Sequence, residues 1–404
     1  MTQAMPDTTA LQARLNAPGP KRILSLDGGG TRGVVALAFL QRIEDELCRP
    51  GAAKTLSDHF DLIGGTSTGA IIAAALALGW RVDRIREIYR KFAVDVFQRR
   101  WWRVVPIMNR YDPGKLEDLL KTYFGHDSEG RELVVGSAAL RTGLAVVAKR
   151  VDTGSPWVVS NLPGAPYHRD HARGATGNWR IPLRNLVRAS TAAPTFFRPV
   201  TLPLGPRGDG TIETGRFVDG GATPYNNPAM RLFELARLGC FGLRWPPGKD
   251  SLLIVSIGAG RFRTRQLRPP SLCDGLRPFL RTLPQRLMLF QAIGVLEGMI
   301  GDGSTHALRS LQSLGHLPLP VRVDSEVGDM AQDLLGTEPL FTALRYDLDL
   351  DDLLAQDALT LRDHGNLCRL DAPECMDRLF ELASAAAAAQ VDPAHLHLPA
   401  HSIS

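Results

Sequence analysis

Two short apolar runs, each ending in glycine and passing at once into a helical pattern, leave this 404-residue chain few folds to adopt. Lys21 to Leu26 leads into Asp27-Gly28-Gly29-Gly30, and Val34 to Leu47 then carries apolar residues at helical spacing. Phe60 to Ile63 leads into the turn around Ser67, and an alanine-rich helix follows over 68–79. Val82 to Phe97 adds an amphipathic helix. Short, nearly continuous apolar strands are buried on both faces, and parallel neighbours need helical crossovers between them. The pattern predicts an α/β fold with a mostly parallel sheet covered by helices on both sides.

Further along, the spacing predicts a helix over 114–124 and strands over 144–150 and 157–160 around the turn Thr153-Gly154. A helix over 183–193 stops at Pro194, and a turn-rich loop from Gly205 to Gly215 leads into a strand, Arg216 to Val218. Asn227-Pro228 opens another helix, with Asn as cap and Pro in the first turn. Leu252 to Ile257 is a buried strand closed by Gly258. Beyond about residue 260 the periodicity fades, and Ser384 to Gln390 is an alanine-rich helical end. With no repeat and no long linker, the expected division is a tail over 1–19, one domain over 20–350, and a C-terminal helical extension and tail over 351–404.

Several classes drop out. Leu62 to Trp80 carries no charge, but glycines interrupt its start. Only about twelve residues, or roughly 18 Å, can be helix, against about 30 Å of hydrocarbon. The first twenty residues lack an apolar core after a basic start, so no secretory signal is expected. Five scattered cysteines match neither a zinc pattern nor a disulfide framework, which makes a reducing, cytoplasmic setting the default. The net charge, 47 − 42 = +5, is mild for this length and gives no reason to expect nucleic acid.

Three glycine-marked loops carry the chemistry. Asp27-Gly28-Gly29-Gly30-Thr31-Arg32-Gly33 exposes successive amides beside a helix start. Alone it fits a dinucleotide fingerprint, the phosphate loop of sugar kinases and actin-like ATPases, an oxyanion hole, or an ordinary turn. Gly65-Thr66-Ser67-Thr68-Gly69 follows a buried strand and opens a helix, the context a nucleophile elbow requires. Asp219-Gly220-Gly221 ends a strand and can either present a carboxylate to a pocket or serve as a structural turn.

Together these loops, in this order, resemble the patatin-like phospholipases, which are lipid acyl hydrolases. The stretch from Ala189 to Phe197, the run Tyr225-Asn226-Asn227-Pro228 and the strand end Ser256 to Gly260 add to the resemblance, which covers about residues 20–350. The resemblance implies a three-layer α/β/α sandwich with a mostly parallel sheet. It implies a Ser–Asp dyad of Ser67 and Asp219, an oxyanion hole at Gly28, Gly29 and Gly30, and hydrolysis of a phospholipid or related ester without metal or cofactor. Thr31, Arg32 and Gly33 then support the loop, although Arg32 could also attract a lipid phosphate; Gly65 and Gly69 shape the elbow, and Gly220 and Gly221 follow the base. A His-dependent triad would need a late histidine, and His364, in Arg362-Asp363-His364-Gly365, is the best candidate without standing at the end of a clear strand. Arg99-Arg100-Trp101-Trp102-Arg103 suits peripheral contact with an anionic membrane, or else a packed loop. The alternative function is an actin-like sugar kinase or ATPase, which leaves Ser67 without a role.

Overall fold

A computed structural model describes residues 7–48, 55–97, 111–170, 176–194, 196–206, 211–262 and 284–398. The Arg99 to Arg103 segment lies outside the described residues. The strands are β1 (Lys21–Leu26), β2 (Leu62–Thr66), β3 (Gly143–Arg150), β4 (Pro156–Ser160), β5 (Val200–Pro206), β6 (Ile212–Asp219), β7 (Leu252–Ile257) and β8 (Thr342–Tyr346). The α-helices are α1 (Thr9–Asn16), α2 (Gly33–Leu47), α3 (Leu56–His59), α4 (Thr68–Ala77), α5 (Val82–Val96), α6 (Pro113–Phe124), α7 (Leu183–Ser190), α8 (Ala229–Arg237), α9 (Pro284–Leu314), α10 (Leu350–Ala355), α11 (Leu361–Leu367) and α12 (Met376–Gln390).

One sheet runs in the order β5-β6-β3-β2-β1-β7-β8, with β4 paired to β3. The strands β3, β2, β1, β7 and β8 are parallel, while β4, β5 and β6 join antiparallel. The parallel strands read as unbroken apolar runs because helices cover both faces. Side chains alternate between the two layers. Leu24 and Leu26 of β1 and Leu253, Val255 and Ile257 of β7 pack with α2, α4, α5, α6 and α7. Ile23, Leu252 and Ile254 point the other way, to α1, α8 and Leu311 of α9. This is the three-layer α/β/α sandwich.

The uncharged stretch from Leu62 to Trp80 becomes β2 and the ten-residue α4, buried from Gly69 to Ala77. Its alanines fit a helix that is covered all round. Among the described residues no helix is long and apolar enough to cross a membrane. Three readings shift. The second strand lies at 62–66, so Gly64, Gly65 and Thr66 belong to it instead of to a loop. Gly64 is tolerated there because Leu232 fills the space a side chain would take, its Cδ2 2.4 Å from the site of a Cβ. The segment expected as a turn-rich loop, Gly205 to Gly215, opens on the last two residues of β5 and takes in the start of β6, and the two strands pair across a register shift at Pro203/Gly205. Past residue 260 the chain also forms α9 and the edge strand β8, which is only five residues long and gave little periodic signal. The described part of 351–404 packs into the same core as β1 and α2, through Leu367, Met376, Leu379, Ala383 and Ala387.

Candidate active site

The parallel strands all end on one side of the sheet, where α/β folds gather their loops. Asp27 follows β1, Ser67 follows β2, and Gly258 follows β7. Asp219 reaches the same place by a different route. On one edge of β3, β2 pairs as far as Thr66↔Val147, and β4 occupies the opposite edge. Beyond the end of β2, β6 takes over that first edge, running antiparallel, and stops with Asp219 opposite Ala148. Two strands thus run toward each other along one edge, and their last residues meet. Ser67 Oγ donates to Asp219 Oδ2 at 2.6 Å, across 152 positions of sequence.

The elbow is tight. Ser67 has φ 54° and ψ −122°, a conformation L-residues rarely adopt. The first turn of α4 folds back over the end of β2, so a Cβ on Gly65 would stand 2.2 Å from the Gly69 carbonyl oxygen. A Cβ on Gly69 would stand 2.4 Å from the carbonyl oxygen of Leu26. Both positions exclude any side chain, which is why the sequence marks the elbow with glycine at either end.

Asp219 is 4% exposed. Its Oδ1 accepts the Gly221 amide at 2.7 Å, and Gly220 and Gly221 open a short 3-10 turn behind it. Burial pushes its carboxyl up to about 6, opposed by the hydrogen bonds from Ser67 and Gly221. A carboxylate so raised is a better proton acceptor than one in water. A serine hydroxyl bonded to it, on a strained turn at a helix start, can attack an ester carbonyl.

The glycine loop wraps the other side of Ser67. A Cβ on Gly28 would come within 3.1 Å of Ser67 Cβ. The Gly28 amide donates to Asn226 O at 3.2 Å, and the Gly29 amide to Thr68 Oγ1 at 3.1 Å. Gly30 has φ 57° and begins a 3-10 turn, where first amides have no partner within the turn. The Thr31 amide donates to Leu370 O, and Thr31 Oγ1 accepts the Ala372 amide. Arg32 Nη1 donates to Gly260 O at 3.0 Å, and its guanidinium lies over the Phe262 ring. Gly33 leaves room for the Tyr89 hydroxyl, which donates to the Gly30 carbonyl.

Sequence reasoning missed the foundation of this loop. Arg345, on β8, grips Asp27 with both arms of its guanidinium at 3.1 and 2.8 Å and also reaches Asp347 at 2.7 Å. Asp347 Oδ1 accepts the Gly260 amide at 2.9 Å. All three charges are buried. Burial raises Asp27 to about 6 despite the neighbouring guanidinium. No sequence signal pointed to Arg345, because its strand was not recognised. His364 sits elsewhere, on α11, with Nε2 2.8 Å from Asp351 Oδ1. Among the described residues no histidine hydrogen-bonds Ser67 or Asp219, and no group of three or more His, Cys, Asp or Glu is placed to hold a metal.

Comparison with known proteins bears on the same region. A family model described as patatin-like phospholipase matches residues 24–233, which is 210 of the 404. The chain is 30% identical over 260 residues to a calcium-independent phospholipase A2-gamma of Mus musculus, covering 60% of this chain and 29% of that protein. It is 30% identical over 190 residues to a cGAMP-activated phospholipase of Vibrio cholerae serotype O1, covering 44% of this chain and 49% of that one. With a cUMP-AMP-activated phospholipase of Escherichia coli the identity is 32% over 212 residues, 52% of this chain and 57% of the other. The matched region thus spans under a third of the mouse protein and about half of the bacterial ones.

Proposed function

The chain belongs to the patatin-like phospholipase family, and from that premise we propose that it hydrolyses carboxylic esters of membrane phospholipids through Ser67 and Asp219. The observation that carries the reading is the 2.6 Å bond between a serine on a strained strand-to-helix turn and a buried carboxylate. Ser67 Oγ attacks the ester carbonyl carbon, and its proton passes to Asp219 Oδ2. The carbonyl oxygen becomes an oxyanion beside the amides of Gly28, Gly29 and Gly30. Gly30 faces the least competition, while Gly28 and Gly29 exchange their present acceptors for the oxyanion. One such donor is worth on the order of 10²–10³ in rate. Collapse expels the lysolipid alcohol, which takes the proton from Asp219 and leaves the acyl group on Ser67. Water, deprotonated by Asp219, attacks the acyl carbon; collapse breaks the bond to Ser67 Oγ, which takes the proton back from Asp219, and the fatty acid leaves. Arg32 acts as a brace for the loop in this reading, since its guanidinium is committed to Gly260 O and Phe262.

The test uses phosphatidylcholine and phosphatidylglycerol vesicles with wild type and Ser67→Ala. Wild type releases fatty acid and is labelled at Ser67 by a fluorophosphonate; the variant folds and does neither. Fatty-acid release by Ser67→Ala, or a label on another serine, overturns the proposal.

A further inference from the structure

The stretch from Ala189 to Phe197 strengthened the family resemblance without acquiring a role. In the fold it touches both members of the dyad. The Ser67 amide donates to Ser190 Oγ at 2.9 Å, and the Asp219 amide donates to Ala192 O at 3.0 Å. Ser190 Oγ in turn donates to Val147 O at 2.6 Å. Val147 is the β3 residue opposite Thr66, the last residue of β2. One buried hydroxyl, 0% exposed, is therefore inserted between the amide that leaves β2 and the carbonyl of the neighbouring strand. Two residues further on, the same segment fixes the end of β6.

We propose that Ser190 is a positioning residue, whose hydroxyl holds the Ser67 amide so that the strained turn keeps Ser67 Oγ on Asp219. The inference rests on the reading of Ser67 as nucleophile. A non-glycine residue persists in such a conformation only where its surroundings over-determine it. At Ser67 those surroundings are the glycines on either side and one polar contact at the amide. Removing the hydroxyl strands a buried donor, Ser67 N–H, and a buried acceptor, Val147 O, together. Backbone rotation at Ser67 re-pairs the donor and carries Oγ away from Asp219. The carboxyl of Asp219 faces the Ser67 hydroxyl and the Gly221 amide, and its shift comes from burial and those two bonds, with no charged side chain contributing. Losing the Ser67 bond, which lowers its pKa, moves the acid limb of acylation to higher pH.

The experiment compares Ser190→Ala, Ser190→Cys and Ser190→Thr with wild type, using a soluble short-chain ester across pH 5–9, with thermal melts. A wild-type fluorophosphonate label mapped to Ser67 is obtained first; a label elsewhere refutes the nucleophile reading, independently of the Ser190 variants. The Ala and Cys variants are expected to acylate roughly 10- to 100-fold more slowly, because a displacement of about 1 Å can cost 10²-fold. Their KM stays unchanged and the acid limb moves upward. Thr, which restores the hydroxyl, recovers most of the rate and the original limb. Should the Ala variant not fold, the Cys variant, which keeps the volume but accepts hydrogen bonds poorly, decides alone. A folded Ala or Cys variant with wild-type acylation and an unmoved limb overturns the proposal. So does loss in Ala, Cys and Thr alike in proportion to the drop in melting temperature, which marks a packing role.

Discussion

Replacing Asp219 by Asn should cut turnover by orders of magnitude and yet gain stability relative to wild type as pH rises toward neutral. Burial penalises the ionised form of Asp219 and pushes its carboxyl up to about 6 in the folded protein, from about 3.9 for an aspartate in water. Between those two values the folded state holds a proton that the unfolded chain has released. Stability therefore falls as pH rises from about 4 to about 6, and the loss persists above that. The shift is about two units, or roughly 3 kcal/mol at 1.36 kcal/mol per unit. The Asn variant has no such titration. Its stability relative to wild type should improve by about 3 kcal/mol between pH 4 and pH 7, whatever constant offset its altered hydrogen bonds add. At about 2.1 cal/mol/K per residue for 404 residues, this corresponds to roughly 4 °C in melting temperature. The assay is paired thermal melting at pH 4, 5, 6, 7 and 8, with single-turnover acylation on the same samples. Acylation in wild type should rise with pH through about 6, and in the variant fall on the order of 10²–10⁴-fold, the usual share of a general base. A stability difference that is flat across pH 4–8 would refute the raised carboxyl, and an active Asn variant would refute its role as base.

Two other outcomes follow from the geometry. Ser67→Gly and Ser67→Ala both lose the hydroxyl, so their difference isolates the backbone at φ 54°. The Gly variant should be more stable by about 1–2 kcal/mol in urea unfolding, and an Ala variant equally stable would show that the turn holds no strain. Arg345→Met leaves Asp27 and Asp347 buried without their shared cation. It should cost about 3–5 kcal/mol at pH 8 and less at pH 5, where Asp27 takes up a proton, and a melt unchanged from wild type at pH 8 would refute the argument.

The sequence by itself determined most of the parallel core and marked the two loops that carry Ser67 and Asp219. Strands at 21–26 and 252–257 were legible because a strand buried on both faces admits little besides apolar residues. Gly65 and Gly69 were legible because no side chain fits where α4 turns back over β2. Such constraints act locally, so they leave local marks. The resemblance joined Ser67 to Asp219, but no local pattern could say how they meet. That depends on β2 and β6 running head to head along one edge of β3, a matter of register between strands about 150 residues apart. The same holds for Ser190, whose hydroxyl looks like any other near a helix end until it stands between Ser67 and Val147. Arg345 is the extreme case. It lies in a five-residue edge strand with weak periodicity, and its partner Asp27 lies 318 positions away. A charge buried against a distant charge is specified by packing alone, and only the tertiary structure could decide that it underpins the glycine loop.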